Sequence, residues 1–437
     1  MSWEAAFLLL MAAVMVPMFL GVPVALAFFG ANVIGALIFF GGEAGLAQLA
    51  RNSYEGLINF SLSPIPMFVL MGEIMFQTGV AFRAIDAIDR LIFRVPGRLS
   101  LVAVSCGTVF AALSGSSMAN TALLGGTLIP EMSRRGYHPG MSLGPILGSG
   151  GLAMLIPPSS MAVLLGSMSG ISITGILLGG ILPALIIAGL YVTYIIVRCS
   201  LNPALAPVYD APPMTAWERV RPFLVYVLPL MSLFVLVVGS ILTGFATPTE
   251  SAALGAIGAV IAAACYRCLS WKALNKALVQ TGKITVTIFF IIAASLTFSQ
   301  ILAFSGATGG MLSLLNSFEL TPLVVVLGML IVVLILGCLM DPLSIILITL
   351  PFFIPLVRQV GVEPVWFGVL MLVALEVGQT TPPFGLLVFT MKSVAPPSTT
   401  MRQIYMAAAP FTLMQMIAIA LIVAFPLLGT WLPNLSR

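Results

Sequence analysis

The chain has 437 residues, of which 60% are hydrophobic and only 7% charged, with a mean hydropathy of +1.15. Soluble domains carry about 25% charged residues, so a set of soluble domains is excluded, and the net charge of +4 comes from loop arginines rather than from a nucleic-acid-binding face. Apolar stretches of about 20 residues, the length that crosses a bilayer, recur along the whole chain.

The first apolar run, 5–20, lacks a basic leader and a small-residue cleavage site, so it is expected to be a retained span rather than a signal peptide. Spans follow at 23–40 and 64–82. Arg83, Arg90, Arg94 and Arg98 then precede an apolar segment, 99–130, and Arg134 and Arg135 follow it. Basic loops mark the cytoplasmic side, so both ends of this segment face the same way. Its polar middle, Ser114-Gly115-Ser116-Ser117, predicts a re-entrant helical hairpin. Non-helical backbone at membrane depth persists only when buried in protein or lining a wet cavity. A broken helix over 140–170 and a span over 173–197 complete the first half. After a cytoplasmic connector, 199–221, the second half shows spans at 223–242, 249–266 and 284–304. A second hairpin, 322–355, a broken helix, 366–391, and a last span, 404–432, follow.

The two halves, 1–198 and 222–437, repeat one another at an offset of 225 residues. Ile129-Pro130 returns as Ile354-Pro355, Gly136 as Gly361, Pro139 as Pro364, and Pro157-Pro158 as Pro382-Pro383. Pro23 and Gly30 return as Pro248 and Gly255. Glycine and proline set backbone bends, so the bends recur where side chains have drifted. Each half crosses an odd number of times, which inverts the second relative to the first. Both termini are then expected outside, with 15 of the 18 Lys and Arg residues inside and only Arg51, Arg358 and Arg437 outside. The expected fold class is an all-α polytopic membrane protein of two inverted repeats, each with a re-entrant hairpin and a broken helix. Matched breaks in inverted repeats are the mark of a secondary transporter whose site lies at the breaks.

Four places interrupt the apolar pattern at membrane depth. They are the tip Ser114–Ser117 with Asn120 and Thr121, the stretch from Gly148 to Ser160 around Pro157-Pro158, the tip Gly337–Pro342, and the stretch Gly378–Pro383. Tandem prolines remove N–H donors and free carbonyls. Such carbonyls, with hydroxyls beside them, suit a small hard cation such as Na⁺, and the half-helix N-termini that follow suit an anion. Taken singly, a Ser/Gly tip also serves tight helix packing, and a Pro-Pro kink is commonly structural. Asp341 at the second tip points to a function or a buried partner, because a charge there is costly. Glu376 could order the fourth break or bind a proton or cation. Glu250 is read as a helix-start residue after Thr247-Pro248. His138 is read as solvated, and Trp3, Trp366 and Trp431 as interfacial anchors.

Cys106, Cys199, Cys265, Cys268 and Cys338 offer only one close pair and no second to complete a metal site. No Walker motif supports ATP hydrolysis by this chain. No His/Cys/Asp constellation suits membrane proteolysis or redox chemistry, and no arginine-rich helix forms a voltage sensor. No organic cofactor and no enzymatic activity are expected.

With these residues the chain resembles the large membrane subunit of tripartite ATP-independent periplasmic (TRAP) transporters, within the ion-transporter superfamily. The resemblance covers nearly the full length. It is carried by Ser114-Gly115-Ser116-Ser117, Ile129-Pro130-Glu131-Met132 with Arg135-Gly136-Tyr137, Leu155-Ile156-Pro157-Pro158-Ser159, Thr247-Pro248-Thr249-Glu250 and Thr381-Pro382-Pro383-Phe384-Gly385. The resemblance implies a permease subunit in a bacterial or archaeal cytoplasmic membrane. It implies Na⁺-driven import of an organic acid by an elevator motion, in which a transport domain with both hairpins and both broken helices slides on a scaffold. It implies two partners: a separate small four-helix membrane subunit and a periplasmic substrate-binding protein. By carry-over, one Na⁺ site would use Ser114 and Ser117 with the carbonyls of Ala153, Ile156 and Pro158. The other would use Gly337, Gly378, Thr381 and the carbonyl of Phe384. Substrate would lie between the tips, near Ser116, Asn120, Thr121, Ser159, Asp341, Gln379 and Thr380. Ala153 stands where the family often has glycine, Asn120 where small residues are usual, and Gln379-Thr380 where the common version is apolar. A stand-alone Na⁺- or H⁺-coupled carboxylate or anion carrier of the same superfamily, and a non-transporting membrane scaffold, are the alternative readings.

Overall fold

The computed structural model describes residues 1–92, 95–207 and 214–435; Arg94 and Arg437 lie outside them. The described chain is helical throughout its regular structure. In the first half the helices are α1 (Trp3–Phe19), α2 (Val24–Phe39), α3 (Glu43–Leu57), α4 (Pro64–Gln77), α5 (Val80–Leu91), α6 (Arg98–Ser114), α7 (Ser117–Arg134), α8 (Pro139–Gly151), α9 (Ser160–Ser169), α10 (Ile173–Gly179) and α11 (Ile181–Leu201). The second half holds α12 (Ala216–Pro222), α13 (Leu228–Leu242), α14 (Pro248–Cys265), α15 (Trp271–Phe304), α16 (Ala307–Ser317), α17 (Pro322–Gly337), α18 (Pro342–Gln359), α19 (Pro364–Thr380), α20 (Leu386–Val394), α21 (Met401–Ala424) and α22 (Leu427–Leu435).

The 225-residue offset of the sequence reappears in the helices: α7 and α18 correspond at both ends, and α8 and α19 at their starts. One difference has a plain cause. In the first half Ser63-Pro64-Ile65-Pro66 separates α3 from α4, whereas the matching stretch of α15 has no proline, so α15 runs for 34 residues without interruption. At 1.5 Å per residue that helix is roughly 51 Å long, well beyond a hydrocarbon core of about 30 Å. The expected span 284–304 is therefore only its last part. Three amphipathic helices, α3, α5 and α16, replace segments read as loops or span ends. The connector helix α12 continues through a π-helical stretch, Phe223–Val227, into α13.

The helices pack in two groups. In one, α4 packs on α14, α15 on α2, α3 and α4, and α13 on α14. In the other, α8 packs on α6, α7 and α21, and α19 on α17 and α21. The groups meet where α4 touches α6 and α9 and where α15 touches α18. Among the described residues seven helices are long and apolar enough to cross a membrane, and six shorter apolar helices accompany them. Their outer faces carry exposed Leu8, Leu26, Ile38, Ile257, Val286 and Ile331. So much exposed aliphatic surface suits lipid or protein, not water. The chain is a multi-pass membrane protein.

Thr247 and Glu250 form a capping box at α14, as the sequence suggests. The Thr247 hydroxyl accepts from the Glu250 amide, while the Glu250 carboxylate accepts from the Thr247 amide at 2.8 Å. Thr247→Ala is expected to cost about 1 kcal/mol, read as a lowered unfolding temperature with unchanged uptake. Trp366 departs from its reading as a lipid-facing anchor. It is buried, and its indole N–H donates to the Ile422 carbonyl at 2.9 Å, because α19 lies inside the helical group rather than at its rim. Trp431 is exposed, in keeping with an anchor.

Candidate functional site

Both hairpins and both broken helices form as local sequence dictates. α6 stops at Gly115, whose φ of 57° is a left-handed conformation that glycine adopts without penalty. Ser116 then caps α7 by accepting from the Ala119 amide. Its mate 225 residues on, Asp341, caps α18 by accepting from the Ser344 amide at 3.0 Å and from the Ser344 hydroxyl. The first broken helix passes from α8 through a 3₁₀ turn, Leu152–Met154, to Pro157-Pro158 and the α9 cap Ser159. The second passes from α19 to Pro382-Pro383 and then to Gly385, which also has a φ of 57°. Both Pro-Pro bonds are cis.

The tips are pressed against the breaks. A Cβ built on Gly115 would lie 2.9 Å from the Pro158 carbonyl oxygen. Beside it, Ser117 is 6% exposed and its hydroxyl has no hydrogen-bond partner. A buried hydroxyl left unpaired is costly. Ser114 keeps its hydroxyl at the tip, accepting from the Ser116 amide at 3.4 Å. Ala153 and Ile156 are buried in and just after the 3₁₀ turn. At the other tip Gly337 and Gly378 touch backbone to backbone: a Cβ on Gly337 would stand 2.7 Å from the Gly378 Cα. The Gly385 amide donates to the Cys338 carbonyl at 3.4 Å. The Thr381 hydroxyl donates to the Val377 carbonyl, leaving its lone pairs free, and the Phe384 carbonyl accepts from the Tyr405 hydroxyl at 2.8 Å.

A cavity of about 580 Å³ opens where the two packing groups meet. Its wall includes Ser114, Ser116, Ser117 and Asn120 from the first hairpin, Asp341 from the second, and Gln379 from the second break. The N-termini of α7 and α18 both begin on this wall. Asn120 is 1% exposed; its amide nitrogen donates to the Gly107 carbonyl at 2.9 Å, and its oxygen has no partner. Thr121, Ser159 and Thr380 lie outside the wall. The Ser159 hydroxyl is spent on the Met154 carbonyl and the Ala162 amide, and that of Thr380 on Val377 and Thr412. Thr121 is buried against α8, its hydroxyl unpartnered.

Two charged residues also line the wall: Glu73 of α4, which the sequence places near a span end, and Lys283 of α15, which it does not place at the site. Lys283 looks like one more loop charge because it sits just before the apolar run of α15. Helix α15 carries it to the cavity, and the only sequence signal is its spacing from the start at Trp271.

Comparison with known proteins now adds the decisive observation. The family model "Tripartite ATP-independent periplasmic transporter, DctM component" matches residues 11–428. The chain belongs to this family. The C4-dicarboxylate TRAP transporter large permease protein DctM of Pseudomonas aeruginosa is 33% identical over 89% of each chain. The ectoine TRAP transporter large permease protein TeaC of Halomonas elongata is 30% identical, over 95% of this chain and 96% of that one. The 2,3-diketo-L-gulonate TRAP transporter large permease protein YiaN of Escherichia coli is 30% identical, over 86% and 87%. The solved structure of the Alcanivorax borkumensis YdaH transporter superposes with a TM-score of 0.62 over 90% of each chain at 15% identity, which shows a shared fold. As a member of the DctM family, the chain is a TRAP transport component and not an enzyme.

Proposed function

We propose that this chain is the permease subunit of a Na⁺-coupled importer of an organic acid, moved by an elevator. The observation that carries this reading is the convergence of both hairpin tips and both helix breaks on a single cavity between two packing groups. The group holding α6–α9 and α17–α20 would slide as the transport domain on the group holding α2–α4 and α13–α15. The two halves would be inverted repeats in a bacterial or archaeal cytoplasmic membrane, with both termini outside. Two Na⁺ ions would bind behind the tips. One uses Ser114, Ser117 and the carbonyls of Ala153, Ile156 and Pro158; the other uses Gly337, Gly378, Thr381 and the Phe384 carbonyl. Hydroxyl and carbonyl oxygens of this kind match the hard-oxygen preference of Na⁺.

The N-terminus of α7 beside Ser116 and Asn120 would meet a substrate carboxylate. Lys283 adds a positive charge on the facing wall. The substrates named for relatives, a C4-dicarboxylate and 2,3-diketo-L-gulonate among them, are consistent with an organic acid. A substrate-binding protein outside the cell would deliver it, and a small membrane subunit would cover part of the exposed aliphatic band. Two results test the reading. Collapsing the Na⁺ gradient with an ionophore is expected to stop concentrative uptake into proteoliposomes. Lys283→Gln is expected to raise KM for a carboxylate substrate at least threefold with little change in protein stability. Uptake that ignores the Na⁺ gradient contradicts the proposal.

A further inference from the structure

Away from the cavity wall, the group that the mechanism leaves unused is Glu376 on α19. It is 0% exposed; the Met154 backbone N–H is set toward its carboxylate, and no side chain of the described residues donates to it. The repeat explains how it fits. The residue 225 positions earlier is Gly151, and a Cβ built there would lie 3.7 Å from both Cβ and Cδ of Glu376. Met154 and Gln379, another pair 225 apart, also touch, with Gln379 Nε2 at 3.8 Å from Met154 Sδ. Equivalent residues that touch one another lie on the axis relating the halves. On that axis one half supplies an empty place and the other a carboxylate.

Two further side chains close over the same place. Gln415 of α21 has its Nε2 3.3 Å from the built Gly151 Cβ and is 1% exposed. Tyr191 of α11, fully buried, sits beside Glu376 with its hydroxyl next to the Gln415 amide, and neither group reaches a partner outside this cluster. The ion pairs of the described residues engage Asp86, Asp89 and Glu131, not Glu376. A buried carboxylate with no charged partner is among the costliest groups a protein can hold, and it is relieved by a proton, an ion pair or a bound cation. Three buried oxygen-bearing side chains gather about Gly151: Glu376, Gln415 and Tyr191. One full negative charge with neutral hard oxygens suits a small monovalent cation, whereas Ca²⁺ or Mg²⁺ sites rely on more carboxylates or water.

We propose that Glu376, Gln415 and Tyr191 form a Na⁺ site of their own, separate from the two behind the hairpin tips. Its role in transport rests on the Na⁺-coupled reading above; its chemistry does not. The test is radiolabelled Na⁺ binding to the purified chain with its small subunit, together with Na⁺-dependent thermal stabilisation against choline as the control cation. Glu376→Gln is expected to bind one Na⁺ fewer per chain and to lose part of the Na⁺-induced shift. Tyr191→Phe, which keeps the ring packing, is expected to retain the count with one site weakened severalfold. Glu376→Gln binding Na⁺ like the unaltered protein, while Ser117→Ala shifts the titration, would overturn this site and leave the hairpin reading standing. If Glu376→Gln does not fold, an unchanged titration for Tyr191→Phe overturns it. An unaltered chain that binds no Na⁺ overturns both.

Discussion

Gly378→Ala is expected to reduce uptake to less than a tenth while the chain still inserts in the membrane. A Cβ built on Gly378 would stand 2.6 Å from the Gly337 Cα and 3.1 Å from its carbonyl carbon. Those atoms are backbone, with no rotamer that could relieve the contact. Overpacking of this kind costs about 1–3 kcal/mol, occasionally more, and a tenfold loss corresponds to about 1.4 kcal/mol. The strain falls at the second tip, between a hairpin and a helix break, so the oxygens proposed for Na⁺ would be pushed apart. Gly328→Ala is the matched control. It lies on α17, the helix of the contacted Gly337, with nothing within 4 Å of its built Cβ, and is expected to be silent. Equal effects at the two positions would place the damage in the added methyl group as such rather than in the contact.

Ser117→Ala is expected to raise the Na⁺ concentration for half-maximal uptake by roughly tenfold, the loss of one ligand worth about 1.4 kcal/mol. The side effects distinguish a ligand from a structural hydroxyl. The Ser117 hydroxyl is buried and unpartnered without a cation, so removing it breaks no hydrogen bond. The Na⁺-free variant is then expected to be at least as stable as the unaltered chain, while the stabilisation gained from added Na⁺ shrinks. Cys106→Ala, on the same hairpin and fully buried, removes a sulfur but no oxygen and is expected to leave Na⁺ dependence intact. A lower stability without Na⁺ and an unchanged Na⁺ response would assign Ser117 to the fold instead.

Much of this arrangement was legible in the sequence because backbone bends are written in glycine and proline. Gly115, Pro157-Pro158 and Pro382-Pro383 stand at the observed breaks, and the hairpins and broken helices around them form within a few residues of the expected limits, whereas the expected last span, 404–432, is divided into α21 and α22. What was not legible depends on direction. Lys272, Lys276 and Lys283 lower hydropathy without interrupting a helix, so hydropathy starts the span 13 residues after α15 begins and leaves Lys283 outside the cavity. α3 and α5 are amphipathic rather than uniformly apolar, and a search for apolar runs passes over them. Trp366 has the position of an anchor but faces inward. Asp341 and Ser116 were both visible as polar tip residues, yet only the structure shows them as equivalent helix caps. The pairing of Gly151 with Glu376 was implicit in the 225-residue offset, but nothing in a sequence says where the axis between two repeats runs.

The most direct test of the central claim is uptake of a labelled carboxylate panel into proteoliposomes holding this chain and its small subunit. Each substrate is measured with and without an inward Na⁺ gradient and with and without the cognate binding protein. The account predicts uptake of one or a few organic acids that requires both the gradient and the binding protein. Uptake that proceeds equally without the binding protein would show a stand-alone carrier, and uptake indifferent to Na⁺ would contradict the cation sites at the hairpin tips.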